Sequence, residues 1–171
     1  AITVLNDWLA SHPEDVHVLE RRAWHNYQLS QDDAAEADYR RILDIDPNHI
    51  KALVGLAQLC GVTKRGETGL PFAERAIGLD RWNRDALFHG AVCAAQAKHE
   101  HRARELFDDA HRLGDTNAAK HRRHYFGDET AHDQFSAALA IGSRGDKVGA
   151  AEAFEQATNL FEARVKVKGD E

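Results

Sequence analysis

The stretch YRRILDIDPNHIKALVGLA, residues 39–57, closes one helical run and opens another within three residues. Pro47 cannot continue a helix and favours an extended residue before it, so it forces a tight link between the two runs. Asn48 stands where it can cap the helix that follows. Much the same phrase, ERAIGLDRWNRDALFHGA, returns at residues 74–91.

Working outward, Pro13 and Pro47 lie 34 residues apart, and the same shift aligns further columns. It superposes Leu19, Leu53 and Leu87, then Ala23, Ala57 and Ala91, then Ala35, Gly69 and Ala103. It continues with Tyr39, Ala73 and Phe107, with Ile42, Ala76 and Ala110, and with Ile45, Leu79 and Leu113. Within each copy the apolar spacing is helical. Each copy therefore holds two amphipathic helices of about 12–15 residues, an ordinary length. Small residues at Ala23, Ala57 and Ala91 let the first helix approach the second, while Tyr39, Phe107 and Phe154 fill the space between pairs. A lone pair of this kind cannot bury its apolar face, so the copies stack on one another.

The expected layout is one domain over residues 1–171. Residues 1–15 form the second helix of an incomplete copy, whose partner helix lies upstream or has been cut away. Full copies span 16–49, 50–83 and 84–117. An insert follows at 118–130, then a fourth copy at 131–164 and a tail at 165–171. The fourth copy reproduces the columns through Ala138, Ala150, Phe154, Ala157 and Leu160 after a slip. In the later copies Arg81 and Asp115 replace Pro47, and Asn83 or Thr116 takes the capping place. In the second copy Gly69 and Pro71 imply a second helix that begins late, near Thr68 to Pro71, with proline in its first turn.

A 34-residue helix–turn–helix with Ala23 and Ala35, aromatic Tyr39 and a terminal Asp46-Pro47 resembles the tetratricopeptide repeat. The resemblance covers the chain apart from 118–130 and implies an all-α, right-handed solenoid of antiparallel helix pairs. Trp8 departs from the pattern, standing where the family prefers alanine, which implies an altered end cap. By the same resemblance the first helices line a concave groove. Its residues would be His17, Glu20, Trp24, Tyr27 and Gln28, then Lys51, Val54, Gln58 and Val62, then Asp85, Phe88, Val92 and Gln96. The last copy adds His132, Phe135, Leu139 and Ser143. Many of these are apolar or aromatic. Either they offer a docking stripe, as exposed apolar patches do, or they pack against the stack or an absent helix. The places where some family members hold cations for a partner's terminal carboxylates are here Glu20, Trp24, Gly55, Asp85 and His89. That set implies no carboxylate clamp.

Composition narrows the function classes. With 22 basic and 28 acidic residues the net charge is −6, which disfavours general nucleic-acid binding. No stretch approaches the roughly 18 apolar residues that span a bilayer. Cys60 and Cys93 sit in apolar helical flanks and read as buried thiols. The 11 histidines follow no metal-ligand spacing, and no phosphate loop or nucleophile motif stands out. The sequence therefore implies no enzyme, no cofactor and no metal site. The insert AAKHRRHYFGDET reads as a solvated connecting helix with Tyr125 and Phe126 tucked inward, although basic residues beside aromatics could also meet a phosphate or an acidic partner. The expected role is a protein-interaction module that takes a helical or extended apolar segment in the groove. A self-assembling scaffold, or a regulatory domain of a larger chain, stands as the alternative. The compartment stays open, with the cytoplasm slightly ahead of the periplasm.

Overall fold

A computed structural model describes residues 2–127, 138–139, 141–142 and 146–169, with side chains as far as residue 159. Its helices are α1 (Ile2–Ser11), α2 (Val16–Gln28), α3 (Asp32–Ile45), α4 (Ile50–Val62), α5 (Gly66–Leu79), α6 (Arg84–Gln96), α7 (Glu100–Arg112), α8 (Thr116–Phe126) and α9 (Lys147–Gly169). No strand occurs among the described residues. The chain divides into two compact units, Ala1–His121 and Arg122–Glu171.

In the first unit the repeat is literal. Helices α2, α4 and α6 begin at residues 16, 50 and 84, and α3, α5 and α7 at 32, 66 and 100. The turn inside each pair is also the same. Ser30, Lys64 and Lys98 take left-handed φ of 57°, 58° and 62°. The next N–H of each turn reaches back to a carbonyl five residues earlier: Gln31 to Asn26, Arg65 to Cys60 and His99 to Ala94, at 2.9, 2.7 and 2.9 Å. This is the Schellman closure, here without glycine.

Capping is where local chemistry departs from the sequence reading. The caps of α2, α4 and α6 are Asp15, His49 and Asn83, whose side chains accept from the N–H groups of Val18, Ala52 and Ala86. Asn83 was expected, but Asn48 is not a cap. Its N–H donates to Asp46 Oδ1 at 3.0 Å within the turn, and its side chain accepts from Arg75 Nη2 at 3.1 Å. His49 follows with the extended backbone that a cap needs, and its Nδ1 takes the Ala52 N–H at 3.2 Å. Thr116 is likewise the first residue of α8 rather than its cap. Asp115 accepts from the N–H groups of Asn117 and Ala118 at 2.8 and 3.2 Å.

The second copy also corrects the expected helix start. Helix α5 begins at Gly66, in step with α3 and α7, and Pro71 falls in its second turn instead of the first. Close packing explains this. A Cβ at Gly66 would lie 2.5 Å from the Cys93 carbonyl oxygen, and one at Gly69 would lie 2.5 Å from Cys60 Cβ and 2.7 Å from Cys93 Sγ. The two glycines let α5 lie against α4 and α6, and that contact holds the early turn in helical form despite the N–H that proline removes.

The core follows the columns. Leu19, Leu53 and Leu87 are buried, as are Ala23, Ala57, Ala91, Ala35, Ala103, Tyr39, Ala73, Phe107, Ile42, Ala76 and Ala110. Ile45 and Leu79 are exposed, because each ends its helix where the chain turns away. Cys60 and Cys93 are free and buried, and the Cys93 thiol donates to the Ala57 carbonyl at 3.3 Å. Burial pushes the Cys60 thiol up and the Cys93 thiol up to about 12. Ionic ties cross between helices. Arg22 grips buried Asp38 through two bonds of 2.8 and 2.6 Å and reaches Asn6 at 2.8 Å, joining α1, α2 and α3. Arg65 pairs with Glu36 at 2.6 Å, and Arg102 with Glu74 at 2.7 and 2.8 Å. Trp8 stacks on His12 at 4.2 Å, and its indole N–H donates to Asp15 at 3.0 Å.

In the second unit Ala138, Ala150 and Ala157 are buried, and Asp146 caps α9 by accepting from the Gly149 N–H at 2.9 Å. The basic stretch of the expected insert lies in α8, which crosses the boundary between units, and Tyr125 and Phe126 in it are half-buried.

Candidate binding groove

The first helices α2 and α4 and the start of α6 enclose a cleft of about 520 Å³. Of the expected groove residues it gathers Glu20, Trp24, Lys51, Val54, Gln58 and Asp85. His17, Gln28 and Val62 are exposed outside it. Tyr27 stands beside it, its hydroxyl accepting from Gln58 Nε2 at 3.0 Å. Phe88 does not extend an open stripe. Its ring meets Phe107 at 6.1 Å and His121 of α8 at 5.1 Å, both edge to face. Val92 is half-buried, and Gln96 donates to the Gly61 carbonyl at 2.7 Å, tying α6 to α4. His132, Phe135 and Ser143 lie outside the described residues, and Leu139 is exposed in the second unit.

Polar groups in the cleft mostly satisfy one another. Glu20 pairs with Lys51 at 2.8 Å and lies 3.6 Å from His49 Nε2. Arg21 and Asp85 line the cleft as exposed charges, and the open apolar surface is Trp24, 53% exposed, with Val54 half-buried nearby. The floor is a residue that the sequence reading missed as a groove element. Tyr39 comes from α3, is 6% exposed and lines the cleft. A Cβ on Gly55 would lie only 2.5 Å from the Tyr39 ring carbon that bears the hydroxyl. Glycine at 55 thus leaves the gap through which a second-helix ring reaches the cleft. The Tyr39 hydroxyl has no hydrogen bond with any described residue, so it is free to serve an occupant. Burial raises its pKa to about 12, which keeps it a neutral donor. The signal was present in sequence, since Gly55 shares a column with Arg21 and His89 and nothing in helix propensity calls for glycine there.

The positions compared with a carboxylate clamp hold no fixed cation. Glu20 and Asp85 are acidic, and burial lowers the pKa of His89 to about 4, so it carries no charge at neutral pH. Among the described residues no group of three or more His, Cys, Asp or Glu side chains could hold a metal ion. No described helix is long and apolar enough to cross a membrane.

No family model and no curated protein matches the sequence. Solved structures do match. A MamA fragment from Desulfovibrio magneticus RS-1 aligns at a TM-score of 0.63 and 16% identity, over 95% of this chain and 84% of its own. A tetratricopeptide repeat protein from Parabacteroides merdae aligns at 0.65 and 16% identity, over 93% and 70%. The first tetratricopeptide domain of human RPAP3 aligns at 0.61 and 16% identity, over 66% of this chain and 91% of its own. The fold is thus a tetratricopeptide-type solenoid of helix pairs.

Proposed function

We propose that the chain is a protein-interaction module whose groove takes a helical or extended apolar segment of a partner protein. The observation that carries this reading is a half-exposed indole, Trp24, at a cleft whose floor holds the unbonded hydroxyl of Tyr39. Because Glu20 and Lys51 already neutralise each other, the free energy of binding comes from burying Trp24 and Val54. The Tyr39 donor then fixes the orientation of a partner carbonyl. Aromatic anchors beside a preformed cleft are the usual hot spots of such interfaces.

The test is selection of a displayed random peptide library on the wild-type protein, followed by affinity measurement on Trp24→Ala. Truncation should weaken the selected peptides by about 2 kcal/mol with helical circular dichroism unchanged. Equal affinity for both proteins removes Trp24 from the site and with it this reading. Phe88 is a poorer probe, since its contacts with Phe107 and His121 give it a structural share.

A further inference from the structure

A second cleft, of about 560 Å³, lies between the second helices α5 and α7 and shares no residue with the groove. Its lining includes Gly78, Arg81, Trp82, Arg102, Asp109 and Arg112. The internal repeat supplies a control for each place. Gly78 shares a column with Asp44 and Arg112, Arg81 with Pro47 and Asp115, and Trp82 with Asn48 and Thr116. The second copy therefore replaces a polar side chain by none, a proline or an acid by a cation, and a small polar residue by an indole.

Packing does not ask for these changes. A Cβ at Gly78 would meet nothing within 4 Å, unlike those at Gly55, Gly66 and Gly69. Glycine near the end of α5 lowers helix stability with no steric return. Trp82 is 66% exposed, the most exposed of the three tryptophans. Two of the arginines are engaged. Arg102 is held by Glu74 and Glu105, and Arg112 Nη1 bonds Asp109 at 2.6 Å. Arg81 is different: its guanidinium lies 5.2 Å over the Trp82 ring, and it pairs with no carboxylate among the described residues. A cation stacked on an open indole, beside a floor cleared of side chains, complements a ligand that joins one negative charge to an apolar body.

We infer that this cleft is a second binding site, for a carboxylate-bearing and otherwise apolar peptide segment. The carboxylate bonds Arg81, and the apolar side chains cover Trp82 and enter above Gly78.

The probe is a short, blocked, fluorescein-labelled peptide alternating glutamate and leucine, read by anisotropy at low salt, with a glutamine–leucine peptide as the neutral control. The wild type should bind the acidic probe about tenfold more tightly than the neutral one. Gly78→Gln, Arg81→Gln and Trp82→Asn should each weaken the acidic probe about tenfold or more. The last of these places the residue already tolerated at Asn48, so the fold survives it. Trp24→Ala should leave the affinity unchanged. The inference is overturned if the wild type does not distinguish the two peptides, if the three cleft variants bind as the wild type does, or if Trp24→Ala abolishes binding. That last result would put the probe in the concave groove and leave the groove reading standing.

Discussion

Replacing Gly69 by alanine sets two readings of one position against each other. Its repeat column holds Ala35 and Ala103, and alanine in a helix interior is favoured over glycine by about 1 kcal/mol, so the column alone predicts a gain. The local geometry predicts a loss. The new Cβ would lie 2.5 Å from Cys60 Cβ and 2.7 Å from Cys93 Sγ, against an ordinary carbon contact of about 3.5–4.0 Å. Cys60 Cβ is fixed to the α4 backbone and cannot rotate away, so α5 must retreat by about 1 Å. Overpacking of this kind costs about 1–3 kcal/mol. With two hard contacts the upper part of that range applies, and the net expectation is destabilisation by about 1–2 kcal/mol. Urea unfolding followed at 222 nm measures it. The control is Gly78→Ala, where no atom lies within 4 Å, so the propensity gain of about 0.5–1 kcal/mol should appear in full. In a Cys93→Ala background the penalty at residue 69 should shrink, since one of the two contacts is gone. A midpoint for Gly69→Ala at or above that of the wild type would refute the reasoning.

Two further expectations rest on local geometry. Glycine at Ser30, Lys64 or Lys98 relieves the left-handed backbone, worth about 1–2 kcal/mol, but adds unfolded-state entropy of about 0.4–1 kcal/mol. Each single variant should therefore gain a few tenths to about 1 kcal/mol in urea, and a loss in all three would show the turns to be unstrained. Glu36 is the pH-sensitive tie. The Arg65 guanidinium, and then Arg40, hold its carboxylate below its ordinary value of 4.5. A depressed acid contributes stability above its unfolded pKa and loses it as pH falls through its folded pKa. Glu36→Gln should therefore be less stable than the wild type at pH 7, with the difference vanishing as pH falls below 4.5; a gap independent of pH would exclude the ion pair as its source.

Much of the fold was legible because its unit repeats. Three copies of one column carry more information than any single helix, and Leu19, Leu53 and Leu87 could be placed in a core before any contact was known. The caps were less legible. Whether Asn48 or His49 closes the helix depends on how the Asp46 turn spends its backbone, and both residue types can accept an N–H. The start of α5 lies earlier than expected because a proline suits the first turn of a helix, whereas the packing of Gly66 and Gly69 against α4 and α6 puts Pro71 in the second. The cleft was half legible. Glu20, Trp24 and Lys51 followed from their positions on first helices, but Tyr39 reaches the groove from a second helix through a gap that only the packing reveals. Helical spacing leaves Phe88 equally open to a docking stripe or to packing against the stack, and only the contacts of its ring with Phe107 and His121 decide for packing.

Helix α4 touches α2, α3, α5 and α6, whereas α1 leans on α2 alone among the described helices. Seven residues of α4 are buried, against one in α1. Amide protons should accordingly exchange with solvent last in α4, where opening requires breaking up the whole unit, and early in α1, which can fray alone. Lys51, Val54 and Gln58 thus project from the slowest-opening segment, so a guest held there could detach while the scaffold beneath it stays shut.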